Sequence, residues 1–128
     1  MDKLFRLDNK VALITGASYG IGFAIAKGLY AAGAKIAFND INQELVDKGL
    51  KAYEEEGIPV KGYVCDVTDE KQVQVMVKKI EEDLGTIDIL VNNAGIIKRI
   101  PMVEMEATDF RKVIDIDLVG PFIVSKAV

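Results

Sequence analysis

The sequence predicts an α/β protein of three layers, in which a doubly wound parallel sheet lies between two layers of helices. Two observations lead to this prediction. Short apolar runs, typical of buried strands, alternate four times with segments whose apolar residues recur at helical spacing. A glycine-rich turn also follows the first apolar run and opens the first helical segment. Alternating strands and helices connect through right-handed crossovers, so all strands should be parallel and helices should cover both faces.

The first two strand–helix units are predicted from apolar spacing. The first strand is the apolar run at residues 11–14, and the first helix covers residues 21–32 and ends at Gly33. The second strand is expected at residues 34–38. A charged amphipathic helix follows from about residue 43 to residue 56.

The remaining units are predicted in the same way. A third strand is expected at residues 60–65, followed by a helix for which Thr68 is the predicted N-cap. The fourth strand is expected at residues 87–91. Thr108 is the predicted N-cap of a fourth helix that continues to Val128. No linker separates these units, so residues 1–128 are interpreted as one domain or part of one.

Composition excludes several classes of function. The chain has 128 residues, of which 50% are hydrophobic and 28% charged, a globular balance that argues against disorder. Its net charge of −4 argues against nucleic acid or an anionic membrane as the main partner. Since there is no histidine, a histidine base and a histidine metal site are excluded, and no ligand spacing predicts a metal.

A single cysteine bears on the location of the protein. Cys65 cannot form an internal disulfide, which favours the reducing cytoplasm, and its apolar surroundings predict a small buried hydrophobe. The longest stretch without charge covers residues 11–26, which is short for a membrane span and contains three glycines.

The segment from Thr15 to Gly22, with the sequence TGASYGIG, is the strongest local signal. Glycine lets a backbone turn sharply and approach a diphosphate without a Cβ clash. The start of the following helix offers unpaired N–H groups and partial positive charge to phosphates. We therefore predict a phosphate-binding loop, and a tight turn without a ligand is the alternative.

Three motifs recur in the order of a known family. They are Gly16-x-x-x-Gly20-x-Gly22 after Thr15, Asp66 after the third strand, and Asn92-Asn93-Ala94-Gly95 after the fourth. In this combination the whole chain resembles the short-chain dehydrogenase/reductase family, which implies a Rossmann-like fold and a nicotinamide cofactor. Within the family, residues 38–43 (FNDINQ) and 93–99 (NAGIIKR) look most like gluconate 5-dehydrogenases.

The cofactor is expected to be NAD or NADP, with NAD favoured. Asp40 lies 18 residues after Gly22, where a carboxylate can accept both ribose hydroxyls of NAD and repel the 2′-phosphate of NADP. The alternative is that Asp40 or Asn42 caps the second helix. The predicted cofactor-binding residues are Gly16, Ser18, Tyr19, Gly20, Ile21, Gly22, Asp40, Asp66, Val67, Asn93, Ala94 and Gly95. For Asp66 and for residues 92–95, a plain turn is the alternative.

Asp117 is the candidate catalytic residue in this chain. At helical spacing it shares a face with Phe110, Val113, Ile114 and Leu118, and a buried carboxylate there needs a partner or a function. Pro121 has no N–H, so the Asp117 carbonyl is expected to be free to hold a water. The family usually has Asn at this position, and its carbonyl is thought to bind a water that relays protons to the catalytic Lys. A local hydrogen bond or ion pair is the alternative.

The substrate is expected to be a small polyol or sugar acid. Arg99, beside Lys98, follows the Asn-Asn-Ala-Gly segment, and a fixed cation there suits a carboxylate such as gluconate. The alternative is a solvated loop charge. The resemblance implies hydride transfer between NAD(P) and a secondary alcohol or ketone, with D-gluconate and 5-keto-D-gluconate as the predicted pair. It also implies a homotetramer built through the fourth and fifth helices.

The catalytic Ser and Tyr-x-x-x-Lys pair of the family do not occur in these 128 residues. In the family they follow the fourth helix, so the sequence is interpreted as the dinucleotide-binding part of a longer enzyme, incomplete at its C-terminus and inactive alone. Two alternatives stay open. One is another reductase of the family, of the 3-oxoacyl-carrier-protein or steroid type, and the other is a nucleotide-binding module without activity.

Overall fold

The computed structural model describes residues 3–128 and contains one four-stranded parallel sheet. The strands follow the spatial order β3-β2-β1-β4. They are β1 (Val11–Thr15), β2 (Lys35–Asp40), β3 (Val60–Val64) and β4 (Ile89–Val91). All four predicted strands are present, and the order reverses beside β1, as in a doubly wound sheet.

Helices follow every strand. They are α1 (Gly20–Ala31), α2 (Gln43–Glu55), α3 (Glu70–Asp83), α4 (Ala107–Ile114) and α5 (Gly120–Ala127). A short 3₁₀ turn (Lys3–Phe5) precedes β1, and a π-helical stretch (Asp115–Val119) joins α4 to α5. None of the helices in residues 3–128 combines the length and apolar character needed to cross a membrane.

The buried residues form two cores, one on each face of the sheet. Alternate residues of β1 serve opposite cores, as the period of a strand requires: Leu13 packs with residues of α3 and α5, and Ile14 with residues of α1 and α2. The three-layer arrangement predicted from the sequence is therefore confirmed. Cys65 is buried in the first core, and this burial raises the pKa of its thiol to about 12.

The register of the strands aligns their carboxyl ends. Thr15 of β1 pairs with Asn39 of β2, and Ile14 pairs with Val91 of β4. Because all strands are parallel, the loops after β1, β2, β3 and β4 meet at one edge of the sheet. In open α/β sheets this edge, at the point where strand order reverses, is the usual place for a ligand.

Two predicted helix caps are wrong. Asp69, and not Thr68, is the N-cap of α3, and its side chain accepts a hydrogen bond from the Gln72 N–H at 3.0 Å. The Thr68 hydroxyl instead donates to Asp66 within the preceding turn. Glu106, and not Thr108, is the N-cap of α4. Side chains that can accept a hydrogen bond occupy several neighbouring positions in both segments, so spacing alone did not select the cap.

The single fourth helix predicted from Thr108 to Val128 is also wrong. The chain forms α4, the π-helical stretch and α5, and the last of these ends at Ala127. Across the wider turn the Gly120 N–H donates to the Asp115 carbonyl. Pro121 explains the interruption, because its ring has no N–H and would crowd the carbonyl four residues earlier in a regular α-helix.

The apolar face predicted around Asp117 is not buried in the described chain. Phe110, Ile114 and Leu118 are exposed, as is Asp117, and Val113 is half-buried. The π-helical stretch shifts the helical phase, so that the inward position of α5 falls to a different residue, Val124. The exposed side chains form a stripe that no element in residues 3–128 covers.

Candidate functional site

A cavity of about 690 Å³ opens at the carboxyl edge of the sheet. Its volume is in the range typical of small-molecule sites. The loops after all four strands contribute to its wall, together with the α4 region. The lining residues that were also predicted as cofactor contacts are Gly16, Tyr19, Gly20, Ile21, Asp40, Asp66, Val67, Asn93, Ala94 and Gly95.

The loop between β1 and α1 has the backbone geometry that its glycines predict. Gly16 and Gly20 have φ angles of +63° and +68°, a conformation that residues with a side chain rarely adopt. A Cβ on Gly16 would lie 2.9 Å from the Ala94 Cα, so the loops after β1 and β4 touch only because Gly16 has none. Tyr19, the N-cap of α1, makes no side-chain capping bond, which leaves the first N–H groups of α1 uncapped by it.

Two of the predicted cofactor-binding residues, Gly22 and Ser18, do not line the cavity. A Cβ on Gly22 would lie 2.9 Å from the Ala17 Cα and would also meet the Asn93 amide, so this glycine allows close packing of α1. Ser18 is buried next to Gly49 of α2, and its hydroxyl has no hydrogen-bond partner in the described part of the chain. A cofactor contact by Ser18 stays a prediction.

Asp40 ends β2 and faces the cavity. One carboxylate oxygen accepts a hydrogen bond from the Ile41 N–H at 2.9 Å, and the other is buried without a partner among residues 3–128. A buried acceptor without a donor is unfavourable, so this oxygen favours a ligand that brings a donor. The N-cap of α2 is Asn42, whose side chain accepts from the Leu45 N–H, and this rules out the capping alternative for Asp40.

Asp66 builds a turn and also lines the cavity. Its Oδ1 accepts from the Thr68 N–H at 2.9 Å and from the Thr68 hydroxyl at 2.7 Å. Its backbone N–H donates to the Gln72 side chain. The plain-turn alternative is therefore part of the structure, while Val67, the next residue, also lies on the cavity wall.

Thr15 and Asn93 tie the loops after β1 and β4 together. The Thr15 hydroxyl accepts from the N–H groups of Asn93 and Ala94, at 3.0 and 2.9 Å. The Asn93 amide donates to the carbonyls of Thr15 and Gly16, at 3.0 and 3.1 Å. Asn92 bonds instead to Ser125 of α5. Of the two amides, that of Asn93 therefore bridges β1 and β4.

Asn39 is a site residue that sequence analysis missed. It is fully buried, its side-chain oxygen accepts from the Gly16 N–H at 3.1 Å, and its amide donates to the Cys65 carbonyl at 3.0 Å. Its own carbonyl accepts from the Ala17 N–H. The available signal was an amide near the end of an otherwise apolar buried strand, since such a group must find partners.

Tyr53 is a second missed residue. It lies on α2, fully buried, and its hydroxyl donates to the Ala17 carbonyl at 2.7 Å. Burial raises the pKa of Tyr53, so the hydroxyl stays a donor at neutral pH. Nothing in the local sequence pointed to it, because an aromatic residue on an amphipathic helix is ordinarily only part of the core.

Asp117 contacts the loop after β4. Its Oδ1 accepts a hydrogen bond from the Ile96 N–H at 2.8 Å and lies beside Gly95, where an added Cβ would come within 3.1 Å of it. The carboxylate is exposed rather than buried, and it makes the local hydrogen bond that the sequence left open as the alternative. Its catalytic role stays a prediction.

The two cations after this loop have different surroundings. Lys98 pairs with Asp109 at 2.8 Å, and this hydrogen bond holds the pKa of Asp109 below its usual value. Arg99 is exposed and makes no ion pair or hydrogen bond within residues 3–128. It does not line the cavity, but it lies three residues after Ile96, which does.

Comparison with protein families places most of the chain in one of them. Residues 10–128 match the model of a family described as short chain dehydrogenase. A curated relative from Formosa agariphila, 2-dehydro-3-deoxy-D-gluconate 5-dehydrogenase, is 54% identical over 98% of this chain and 48% of its own length. The chain spans about half the length of the curated relatives that it matches first.

Solved structures show the same architecture. The 2-keto-3-deoxy-D-gluconate dehydrogenase of Streptococcus agalactiae is 70% identical, with a TM-score of 0.86, and the match covers 97% of this chain and 47% of that one. A gluconate 5-dehydrogenase from Burkholderia cenocepacia, solved with NADP and tartrate, is 42% identical at a TM-score of 0.86, with coverages of 97% and 49%.

Proposed function

The chain belongs to the short-chain dehydrogenase family, and on that premise we propose that the full-length protein is an NAD(P)-dependent oxidoreductase acting on a sugar acid. The observation that carries the cofactor proposal is the cavity at the carboxyl edge, where an uncapped helix start and a partnerless carboxylate oxygen of Asp40 lie on one wall. A dinucleotide supplies both missing partners, since it carries phosphate oxygens and ribose hydroxyls.

Different residues of the cavity wall would hold different parts of the cofactor. Gly16 and the start of α1 would hold the diphosphate, because glycine permits close approach and the helix end favours negative charge. Asp40 would hold the adenosine ribose, and Asp66 with Val67 would lie at the adenine. Ala94 and Gly95 would leave room for the second ribose and the nicotinamide. When bound, the nicotinamide accepts or supplies the hydride exchanged with the substrate.

We favour NAD over NADP for the full-length protein. A carboxylate at Asp40 would repel a 2′-phosphate, and its free oxygen suits a ribose hydroxyl. No Lys or Arg among the described residues lines the cavity except Lys112. The Burkholderia relative was solved with NADP, so relatives of this kind include proteins that bind the phosphorylated cofactor.

Replacing Asp40 tests the cofactor proposal. We expect Asp40→Ala to weaken NAD binding about tenfold or more, the scale of one lost hydrogen bond to a charged group, and to improve NADP binding relative to NAD. The measurement is calorimetric titration of the full-length protein with each cofactor. Asp47→Ala, which removes a carboxylate of α2 outside the cavity wall, is the matched control and should change neither constant.

Two results would count against the proposal. If the unaltered protein binds neither cofactor, the proposed function is wrong. If Asp40→Ala leaves the ratio of the two dissociation constants unchanged, Asp40 has no part in cofactor choice.

The proposed substrate is a six-carbon sugar acid oxidised or reduced at a secondary carbon. D-Gluconate and 5-keto-D-gluconate are the pair expected from the sequence. The Formosa and Streptococcus relatives are both named for 2-keto-3-deoxy-D-gluconate, or its synonym, and share the higher identities, so this acid is the first candidate to test. Turnover of a panel that also contains 3-oxoacyl and steroid substrates tests this choice, and preference for either of those would contradict it.

Arg99 is the proposed contact for the substrate carboxylate. It follows the cavity wall at Ile96 and, unlike Lys98, has no ion-pair partner within residues 3–128. An unpaired guanidinium can bind a carboxylate through two parallel hydrogen bonds. Asp117 is proposed to act in proton transfer through its carbonyl while its side chain holds the Ile96 N–H.

We propose that the full-length protein is a homotetramer and is located in the cytoplasm. The exposed stripe of Phe110, Ile114, Leu118 and Phe122, at intervals of one helical turn on the α4–α5 region, supports the first part. The buried free thiol of Cys65 is compatible with the second.

A further inference from the structure

The hydroxyl of Tyr53 reaches from α2 to the phosphate loop. Its oxygen lies 2.7 Å from the Ala17 carbonyl, in the middle of the segment between Thr15 and Gly22. Tyr53 and Ala17 are both fully buried, so water cannot replace this hydrogen bond if it is lost. A buried carbonyl without a donor is unfavourable, and the loop would shift to satisfy it.

The same face of α2 supports the loop by packing. Gly49, one turn before Tyr53, lies so close that an added Cβ would be 2.9 Å from the Ser18 Cα. The Tyr53 ring packs against Phe23 of α1 and Phe38 of β2, with ring centroids 4.4 and 5.1 Å apart. The ring, carried by α2, is thus packed against α1 and β2, and its hydroxyl donates to Ala17 from a fixed position.

Ala17 is also held through its backbone N–H. The Asn39 carbonyl accepts from the Ala17 N–H, so both polar groups of the Ala17 peptide backbone are held, one by β2 and one by α2. The preceding residue, Gly16, and the residues at the start of α1 face the cavity. Because Ala17 is held on the side away from the cavity, the N–H groups of its neighbours are held in fixed directions toward the cavity.

We propose that Tyr53 is a positioning residue for the diphosphate of the dinucleotide, acting through the Ala17 carbonyl. The inference rests on the proposed cofactor binding and adds a residue that does not line the cavity. Its hydroxyl preorganises the loop in the absence of ligand, so that the loop does not have to be ordered when the diphosphate binds. Removing the hydroxyl should therefore weaken binding of the diphosphate, while the adenosine site at Asp40 and Asp66 is unaffected.

The test is Tyr53→Phe in the full-length protein, which keeps the packed ring and removes only the hydroxyl. Tyr63→Phe is the matched control, because the Tyr63 hydroxyl donates a hydrogen bond of 2.8 Å to Asp83, at the end of α3 and away from the loop. Binding of ADP-ribose is measured by calorimetry, and binding of adenosine by saturation-transfer NMR, at a temperature where circular dichroism shows all three proteins folded.

The expected result is a dissociation constant for ADP-ribose that rises about fivefold to tenfold in Tyr53→Phe, the scale of one buried hydrogen bond. Adenosine binding should stay within about twofold of the unaltered protein, as should both ligands in Tyr63→Phe. Equal losses for ADP-ribose and adenosine would overturn the inference, since a general loss of structure would act on both.

The remaining outcomes are also decisive. ADP-ribose binding that is unchanged in Tyr53→Phe would overturn the inference but leave the proposed function intact. A Tyr53→Phe protein that does not fold would assign the hydroxyl to stability and would likewise overturn it. Absence of ADP-ribose binding by the unaltered protein would instead overturn the proposed function, and the inference with it.

Discussion

The polar residues around the cavity are of two kinds. Some form hydrogen bonds that hold the loops together, and others have a polar atom with no partner in the described chain. The side chains of Thr15, Asn39 and Asn93 form hydrogen bonds of 2.9 to 3.1 Å that join the ends of neighbouring strands. Asp40 keeps one oxygen unpaired, although it is buried. Because buried polar groups are nearly always satisfied, this contrast supports the proposal that Asp40 binds a ligand.

At Asp117, the side chain holds the loop after β4, and a pair of substitutions tests whether this contact matters for activity. Asp117→Asn keeps an oxygen that can accept from the Ile96 N–H, and Asp117→Ala removes it. We expect kcat/KM of the full-length enzyme to stay within about threefold in the first variant and to fall about tenfold in the second, the effect of one hydrogen bond of about 1.4 kcal/mol. Full activity of Asp117→Ala would show that the side chain does not position the loop.

Helix α1 contains glycines on two faces, and only the glycine that faces the loop after β1 is needed for close packing. Gly22 faces Ala17 and the Asn93 amide, whereas Gly28, two turns later in the same helix, has no atom within 4 Å of an added Cβ. The π-helical stretch is the other element with a particular geometry. It places Asp117 against the loop after β4 and Val124 in the core, which a regular helix interrupted by Pro121 would not do.

Two glycine substitutions in α1 should have opposite effects. Gly22→Ala should lower the free energy of unfolding by about 1–3 kcal/mol through overpacking and weaken cofactor binding. Gly28→Ala should raise the free energy of unfolding by up to about 1 kcal/mol, because alanine has the higher helix propensity, and leave binding unchanged. Urea denaturation gives both values. If Gly22→Ala is as stable as the unaltered protein, α1 does not need its close approach to Asn93.

At the scale of the whole molecule, the exposed stripe on the α4–α5 region is the feature that the described chain does not account for. Phe110, Leu118 and Phe122 are 58%, 65% and 66% exposed, and together with Ile114 they recur every four residues. Contiguous apolar surface of this kind marks a protein interface more often than open surface. A second copy of the chain is the proposed cover, in line with the tetramer implied by the family.

A charge placed in the stripe tests that assembly. We expect Leu118→Lys to shift the full-length protein from tetramer to smaller species, because burying an unpaired ammonium in an apolar contact is unfavourable. Light scattering after size exclusion measures the mass. Val75→Lys on α3, where the side chain is 70% exposed and lies outside the stripe, should leave the mass unchanged. A tetrameric Leu118→Lys protein would place the interface elsewhere.

The sequence by itself determined the layered fold, the four strands and the position of the glycine loop. These features follow from the hydrophobic periodicity of each segment, the spacing of the glycines and the alternation of strands with helices, all of which can be read along the chain. The same local information placed Asp40 and Asn93 at strand ends, and parallel strands bring such ends together.

Only the tertiary structure decided which polar groups meet. The hydrogen bond between Gly16 and Asn39 joins residues 23 positions apart, and the one between Ala17 and Tyr53 joins residues 36 positions apart. No local sequence pattern encodes such a pairing. The choice of Asp69 over Thr68 as a cap, and the π-helical stretch that exposes Leu118, also depended on how neighbouring segments compete for the same backbone groups. Hydrogen bonds act over about 3 Å, so their partners are determined by the packed arrangement of the elements rather than by the order of residues.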